Sequence, residues 1–132
     1  MTSPVVTRLG SGGPWEARFG YSRVVRVGNL AITAGCTSTV DGRVAHVGDA
    51  GAQTAQALRI GLDALAEVGV EPADVIRTRM YVTDRSHADE VGRAHNAVFG
   101  AVRPVATMVV VAGLIDPEHL VEVELEAYLP DR

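Results

Sequence analysis

Hydrophobic and polar residues alternate along two segments of the chain, residues 74–82 and 121–129. A period of two residues is typical of a β-strand that buries one face. Residues 22–27 and 30–35 are two further apolar segments, and the Gly28-Asn29 pair between them is typical of a two-residue hairpin turn. The pattern therefore predicts a hairpin near the N-terminus and two longer strands later in the chain.

Apolar residues recur at helical spacing in two other segments. The first predicted helix begins after Asp49 as its N-cap and ends at Gly69. The second begins at Ser86, with Asp89 three residues later as a weak capping box, and ends at Gly100. Both segments are long enough to predict helices that pack an apolar stripe against a sheet.

Three shorter segments complete the secondary structure prediction. Residues 9–14 are predicted to form a loop that leads into a strand, and Asp41-Gly42 is predicted to be a turn. Residues 106–112 are apolar with little alternation, which predicts a strand that is covered on both faces.

The order of elements is hairpin, helix, strand, helix, strand, strand, which predicts an α+β fold with a single mixed sheet. Right-handed crossovers place both helices on the same face of that sheet. The opposite face is left open, and its predicted members are Arg77, Arg79, Tyr81, Glu122, Glu124 and Glu126, together with Ala106, Met108 and Val110. Thr107 is predicted to lie on the helix-packed face. An apolar strip on an open face predicts self-association.

Composition narrows the class of protein. The chain has 132 residues, which predicts one domain over residues 1–132, and its net charge of −4 argues against a nucleic-acid partner. Cys36 is the only cysteine, which fits a reducing compartment, and no segment approaches the roughly 20 apolar residues of a membrane span. The N-terminus lacks a signal-peptide core. The expected location is therefore the cytoplasm, without a membrane partner.

Several short motifs follow one another between residue 20 and the C-terminus, and they include Val27-Gly28-Asn29-Leu30, Thr33-Ala34-Gly35, Ala52-Gln53-Thr54, Tyr81-Val82-Thr83-Asp84, Arg103-Pro104 and Leu120-Val121-Glu122-Val123-Glu124. In their order and spacing these motifs resemble the RidA (YjgF) family. The resemblance implies a chorismate-mutase-like fold and a homotrimer with small-molecule clefts between subunits. It also implies hydrolysis of reactive imines or enamines to 2-keto acids, without a cofactor or a metal.

The resemblance also implies roles for individual residues. Glu122 matches the glutamate that positions water, Gly35 matches a glycine whose backbone amide binds substrate, and Tyr21 matches a pocket tyrosine. Cys36 stands in place of a glutamine. Ala106 stands where the family has an arginine that binds the substrate carboxylate.

The alanine changes the chemistry of the expected cleft. A guanidinium binds a carboxylate through two charge-assisted hydrogen bonds, and a methyl group offers none. Losing a hydrogen bond to a charged group costs about 1.5–3 kcal/mol. The substrate is therefore expected to differ from simple 2-imino acids, and to be bulkier or less acidic.

For most candidate residues a functional and a structural role remain open. Arg79 could supply a replacement cation, or it could form an ion pair with the row of glutamates. Thr107 could offer a hydroxyl to the cleft. Trp15 could form a lid, or it could anchor the N-terminal segment by packing. The structural alternative for Glu122 is one more charged residue of the open face, and for Tyr21 it is an aromatic residue at the rim of the cleft. Cys36 could be a nucleophile or a small buried residue.

Other kinds of site are not supported by the sequence. The four histidines have no metal-ligand spacing among themselves or with Cys36, and they are His46, His87, His95 and His119. The glycines of residues 10–13 lack the lysine and the helix of a phosphate-binding loop. Besides imine hydrolysis, a non-catalytic metabolite-binding trimer and a ribonuclease remain as alternatives.

Overall fold

Six strands form one mixed β-sheet in the computed structural model, which describes residues 3 and 5–131. The strands are β1 (Val6–Leu9), β2 (Val24–Val27), β3 (Leu30–Thr33), β6 (Val75–Val82), β7 (Val105–Val110) and β8 (Val121–Tyr128), and a separate pair is β4 (Thr39–Val40) and β5 (Arg43–Val44). The helices are α1 (Pro14–Phe19), α2 (Ala50–Glu67) and α3 (Ala88–Phe99). The strand order is β1-β2-β3-β8-β6-β7, and only the β6–β7 pair is parallel.

Both predicted turns are confirmed. β2 and β3 are antiparallel with Val27 opposite Leu30, so Gly28 and Asn29 form the two-residue turn, and Gly28 has a φ of 58°. In the second hairpin Asp41 and Gly42 both have positive φ, as a type I′ turn requires.

The limits of α2 follow the predicted capping chemistry. The Asp49 side chain accepts a hydrogen bond from the Ala52 amide at 3.0 Å, as an N-cap should. At the other end Val68 is the C-cap, and Gly69 follows it in the left-handed region with a φ of 87°. The C-cap is therefore Val68, one residue before the glycine at which the sequence analysis ended the helix.

The start of α3 differs from the prediction. Ser86 does not cap the helix, because residues 85–87 form a 3₁₀ turn and α3 begins at Ala88. The capping side chain is that of Asp84, which accepts from the Ser86 amide at 2.8 Å. Asp84 therefore caps the 3₁₀ turn that precedes α3, and α3 itself has no side-chain cap. Gly100 ends the helix as predicted.

The core lies between the sheet and the two long helices, which pack on the same face as predicted. Side chains of β6 and β8 alternate between this buried face and an open face. The largest fully buried apolar side chains are Phe99, Leu58, Leu65, Leu125, Val24, Val82, Val91, Val121 and Val123. Because of this alternation, the six charged and aromatic residues that were predicted for the open face lie on it, and they are Arg77, Arg79, Tyr81, Glu122, Glu124 and Glu126.

The N-terminal segment is more structured than the prediction. Residues 6–9 form the edge strand β1 against β2, and the segment after the glycine-rich loop is the helix α1 and not a strand. Six residues are too few to show helical periodicity, and Pro14 is suited to the first turn of a helix because that position needs no amide donor.

The predicted faces of β7 are wrong. β7 pairs in parallel register with β6, so Ala106 lies beside Thr78, Met108 beside Met80, and Thr107 beside Arg79. Thr78 contacts α3 through His95, so Ala106, Met108 and Val110 belong to the helix side and Thr107 to the open face. β7 is also an edge strand whose residues are mostly exposed, and it is not covered on both faces. A strand without alternation gives no signal for its facing, which is set by its register with β6.

No helix in the described part of the chain is long and apolar enough to cross a membrane.

Candidate functional site

A β-bulge after β3 creates the centre of the candidate site. Ile32 lies opposite Glu126, and Cys36 lies opposite Val123. The segment that continues β3 therefore contains one residue more between these two pairs than the facing segment of β8. The Cys36 amide donates to the Val123 carbonyl at 2.7 Å, and the Val123 amide donates back at 2.9 Å. Within residues 5–131 the Gly35 amide has no hydrogen-bond partner. The bulge therefore leaves a free backbone donor at Gly35.

The Glu122 side chain lies directly against Gly35. A Cβ atom at position 35 would come within 2.8 Å of the Glu122 Cδ atom, so any larger residue there would displace the Glu122 carboxyl group from this position. Burial raises the pKa of Glu122, the neighbouring Glu124 charge raises it further, and the Arg23 charge acts in the opposite direction. A carboxyl group whose proton is held more tightly than usual is suited to accept and return a proton near neutral pH.

Arg23 lies on the other side of Gly35. Its Nη1 donates to the Gly35 carbonyl at 2.5 Å and lies 3.8 Å from the Cys36 sulfur. Its Nε is 3.3 Å from a Glu16 carboxylate oxygen, and its guanidinium carbon is 5.7 Å from the centre of the Tyr21 ring. One arginine therefore contacts four residues at this end of the sheet.

Glu16 fixes Arg23 in this position. The Glu16 carboxylate accepts hydrogen bonds from the Ser11 amide at 2.8 Å and from the Ser11 hydroxyl. Although burial raises the pKa of Glu16, the Ser11 hydrogen bonds and the Arg23 charge together bring it below its ordinary value. The ion pair between Glu16 and Arg23 thereby connects the glycine-rich loop and α1 to the start of β2. The Arg23 side chain is 13% exposed and the Glu16 side chain is 7% exposed.

Cys36 is buried beneath α2. Its sulfur lies close to Gly61, where a Cβ would be 3.5 Å from it. Burial raises the pKa of the thiol, and the Arg23 charge only partly opposes this. The geometry fits a small buried residue, and a raised pKa leaves little thiolate to act as a nucleophile.

Of the predicted site residues, the structure brings together Gly35, Cys36 and Glu122, and it links Tyr21 to them through Arg23. Trp15 lies on the exposed side of α1, where it stacks on Phe19 with ring centres 5.3 Å apart. Arg18 covers both rings. No contact joins Trp15 to the Gly35 bulge in the described part of the chain.

Arg79 and Thr107 lie elsewhere, on the open face of β6 and β7. Arg79 is exposed and forms no ion pair with any described residue, whereas Arg77 pairs with Glu126 at 3.2 Å. It lines a shallow hollow of about 210 Å³ with Ile32, Thr33 and Glu124. Tyr81 donates to Glu124 at 2.5 Å, and this hydrogen bond raises the pKa of Tyr81.

Ala106 faces away from Glu122. It lies on the helix side of β7, whereas Glu122 is on the open face of β8 opposite Tyr81. Within one chain the two positions therefore cannot line the same side of the sheet.

Arg23 is the residue that the sequence analysis missed. It precedes β2 and reads as an ordinary strand residue, and its contacts with Gly35 and Cys36 depend on the pairing of β2 with β3. A signal was present, because the chain has an arginine two residues after Tyr21 and a glutamate seven residues before that arginine.

The histidines have structural positions. His95 Nε2 is 2.8 Å from the Thr78 hydroxyl, and burial lowers the pKa of His95. In the part of the chain that the structure describes, no group of three or more His, Cys, Asp or Glu residues could hold a metal ion.

Comparisons with other proteins agree with this fold. The sequence profile of the Endoribonuclease L-PSP family matches residues 14–129. The chain is 44% identical over 128 residues to SCO2049 of Streptomyces coelicolor, an uncharacterized protein, covering 97% of this chain and 96% of that one. It is 46% identical to Rv2704 of Mycobacterium tuberculosis, a YjgF/YER057c/UK114 family member, with a TM-score of 0.86 and coverage of 95% and 100%.

A more distant structure shares the fold alone. YyfA of Yersinia pestis, from the Rid protein family, superimposes with a TM-score of 0.84 at 20% identity, covering 95% of this chain and all of the other. The chain is thus an α+β domain in which two helices pack on one face of a mixed sheet. The chain belongs to the YjgF/RidA family, whose sequence profile is named Endoribonuclease L-PSP.

Proposed function

We propose that this protein is a cytoplasmic hydrolase that adds water to an imine or enamine, without a cofactor, in clefts between the subunits of a homotrimer. The observation that carries the proposal is the Glu122 carboxyl group held against Gly35, beside a free backbone donor. Cofactor-free hydrolysis needs a group that accepts a proton and a fixed hydrogen-bond donor. Here the Glu122 carboxyl group is the first, and the Gly35 amide is the second.

The reaction balances with water as the only co-reactant. Glu122 accepts a proton from water while the water oxygen bonds to the imine carbon, and it returns that proton to nitrogen to give a carbinolamine. The same carboxylate then takes the hydroxyl proton of the carbinolamine and delivers it to the amino nitrogen. The carbon–nitrogen bond breaks, and ammonia and a carbonyl compound are released. An enamine first takes a proton on carbon to become the imine.

The composition supports attack by water itself. All 12 residues counted as lysine or arginine are arginines, so the chain offers no lysine amine for a Schiff base. Burial raises the pKa of Cys36, which disfavours a thiolate intermediate. Among the described groups near Gly35, Glu122 is the one suited to move protons.

The position of Ala106 supports a shared cleft. Because Ala106 and Glu122 face opposite sides of the sheet, only a second copy of the chain could bring Ala106 near Glu122. The exposed edge strand β7 and the open sheet face provide surfaces for that copy. A methyl group at position 106 leaves space but no charge, so a substrate carboxylate would have to be bound by another residue of the cleft.

The test is a panel of imines generated in situ by an amino-acid oxidase and an amine oxidase, with the remaining imine trapped by semicarbazide. We expect the wild type to accelerate hydrolysis of at least one imine, and Glu122→Gln to lose about 10²–10⁴-fold, the range typical of a lost acid–base group. Ala106→Arg should lower KM for small acidic imines.

The panel also separates the alternatives. Saturable binding of small molecules with no turnover in any variant would favour a binding trimer. The name of the matching family profile raises the ribonuclease alternative, which the net charge of −4 disfavours. Cleavage of RNA that depends on Glu122, with no imine turnover, would replace the proposal.

A further inference from the structure

The candidate site contains a cation that no motif of the family assigns. Arg23 lies before β2, whereas the position that the family uses for its carboxylate-binding arginine is Ala106 on β7. We infer that Arg23 binds the carboxylate of an anionic substrate, so that the site retains acidic imines as substrates in spite of Ala106. The inference rests on the proposed function and gives its substrate class.

The guanidinium has donors left over. Nε and Nη1 are occupied by Glu16 and the Gly35 carbonyl, whereas Nη2 has no hydrogen-bond partner among the described residues. Within the described part of the chain, His87 Nδ1 is the only buried side-chain nitrogen or oxygen without a partner, so Nη2 keeps contact with solvent. Arginine carries five N–H donors, and those on Nη2 remain available to a ligand.

The remaining contacts hold the guanidinium in place before a ligand arrives. Its side chain is 13% exposed, and it is fixed by Glu16, by the Gly35 carbonyl and by the Tyr21 ring. A preorganised arginine loses little conformational entropy on binding. The Glu16 charge offsets part of the Arg23 charge, so the attraction for an anion is moderate, and specificity comes from geometry.

Gly35 joins this cation to the proposed chemistry. The carbonyl of Gly35 accepts from Arg23, its amide is free, and its Cα lies against Glu122. A 2-imino acid carries its carboxylate on the carbon next to the C=N group. Arg23 and the Gly35 amide are suited to the carboxylate end, and Glu122 to the imine end.

The kinetic test compares acidic and neutral imines. Amino-acid oxidase supplies imines with a carboxylate, and amine oxidase supplies alkyl imines without one. In Arg23→Gln we expect KM for the acidic imines to rise roughly ten- to hundredfold, from the loss of one charged hydrogen bond. KM for the neutral imines should stay unchanged. Arg93→Gln, which removes an exposed cation that pairs with Asp89 on α3, is the matched control.

A binding test works without turnover. Titration calorimetry with 2-oxobutanoate and with its amide, 2-oxobutanamide, measures recognition of the carboxylate alone. Wild type should bind the acid more tightly than the amide, and Arg23→Gln should remove that preference. If no imine is hydrolysed but this preference is present and depends on Arg23, the anchor stands and the proposed function fails.

Three results would overturn the inference. The first is that Arg23→Gln weakens acidic and neutral ligands equally. The second is that Arg79→Gln removes the preference and Arg23→Gln does not. The third is that wild type has no preference for the acid. Because Arg23→Gln leaves Glu16 unpaired, a Glu16→Gln/Arg23→Gln double variant, checked by thermal unfolding, must give the same result.

Discussion

The carboxyl group of Glu122 occupies a position that disfavours its charge. Burial and the Glu124 charge both raise its pKa, and Arg23 opposes them without forming an ion pair with it. A group that must be ionised to accept a proton is therefore held where ionisation lowers the stability of the fold. Active sites commonly contain groups with this conflict between function and stability.

Glu122→Gln should stabilise the protein at neutral pH. A raised folded-state pKa means that the folded state binds the proton more tightly, so wild type gains stability as the pH falls through that pKa toward the ordinary glutamate value. The advantage of the glutamine variant should thus be largest at neutral pH and shrink in acid. Urea unfolding across a pH series measures it.

The exposed Glu118 provides the control for that series. Glu118→Gln removes a carboxylate of the same type from the surface. An advantage of Glu122→Gln that is equal to that of Glu118→Gln, or that grows in acid, would contradict the burial of Glu122.

At the scale of elements, α2 packs tightly against the sheet at Gly61. A Cβ there would meet Leu125 Cδ1 at 2.8 Å and Leu125 Cγ at 3.4 Å, with the Cys36 sulfur just beyond. In α3, by contrast, a Cβ at Gly92 would meet nothing within 4 Å. A side chain at position 61 would therefore have to displace Leu125, whereas one at position 92 would displace nothing.

These two helices give a matched pair of substitutions. Gly61→Ala should lower the free energy of unfolding by about 1–3 kcal/mol through overpacking, less the gain in helix propensity. Gly92→Ala should raise it by roughly 0.5–1 kcal/mol, because alanine favours the helix and displaces nothing. Guanidinium denaturation of both variants tests the pair. Stabilisation by Gly61→Ala would show that α2 can move away from β8.

The elements differ in how far sequence alone predicts them. Local chemistry determines the Gly28-Asn29 turn, the Asp49 cap and the alternation of β8, so these were predicted. The facing of β7 depends on its register with a strand more than twenty residues earlier, and the role of Arg23 depends on a bulge between β3 and β8. Such long-range pairings leave no periodic signal in the residues themselves.

For the whole molecule, the edge strand β7 is the surface that most needs a partner. Val105, Val109 and Val110 are 60%, 42% and 53% exposed, and the strand has an unpaired backbone edge. A trimer that covers this edge would explain why apolar side chains are placed there.

Charges on β7 should therefore prevent assembly. We expect the wild type to elute at three times the mass of the chain, and Val105→Lys/Val109→Lys to elute as a monomer with little imine hydrolysis. Light scattering coupled to size-exclusion chromatography measures the mass. Ala55→Lys, on the exposed side of α2, should remain a trimer. A doubly substituted protein that keeps the wild-type mass would place the interface elsewhere.

The exposed edge of β7 also affects how readily the chain aggregates before it has folded. From Pro104 to Ile115 the sequence contains no charged residue, and the strand within this run is rich in valine. Exposed strands of this kind recruit further copies into fibrillar sheets unless a charge interrupts them. An arginine at position 106 would be such a gatekeeper, and Ala106 removes it. Folding must therefore outpace aggregation in this chain.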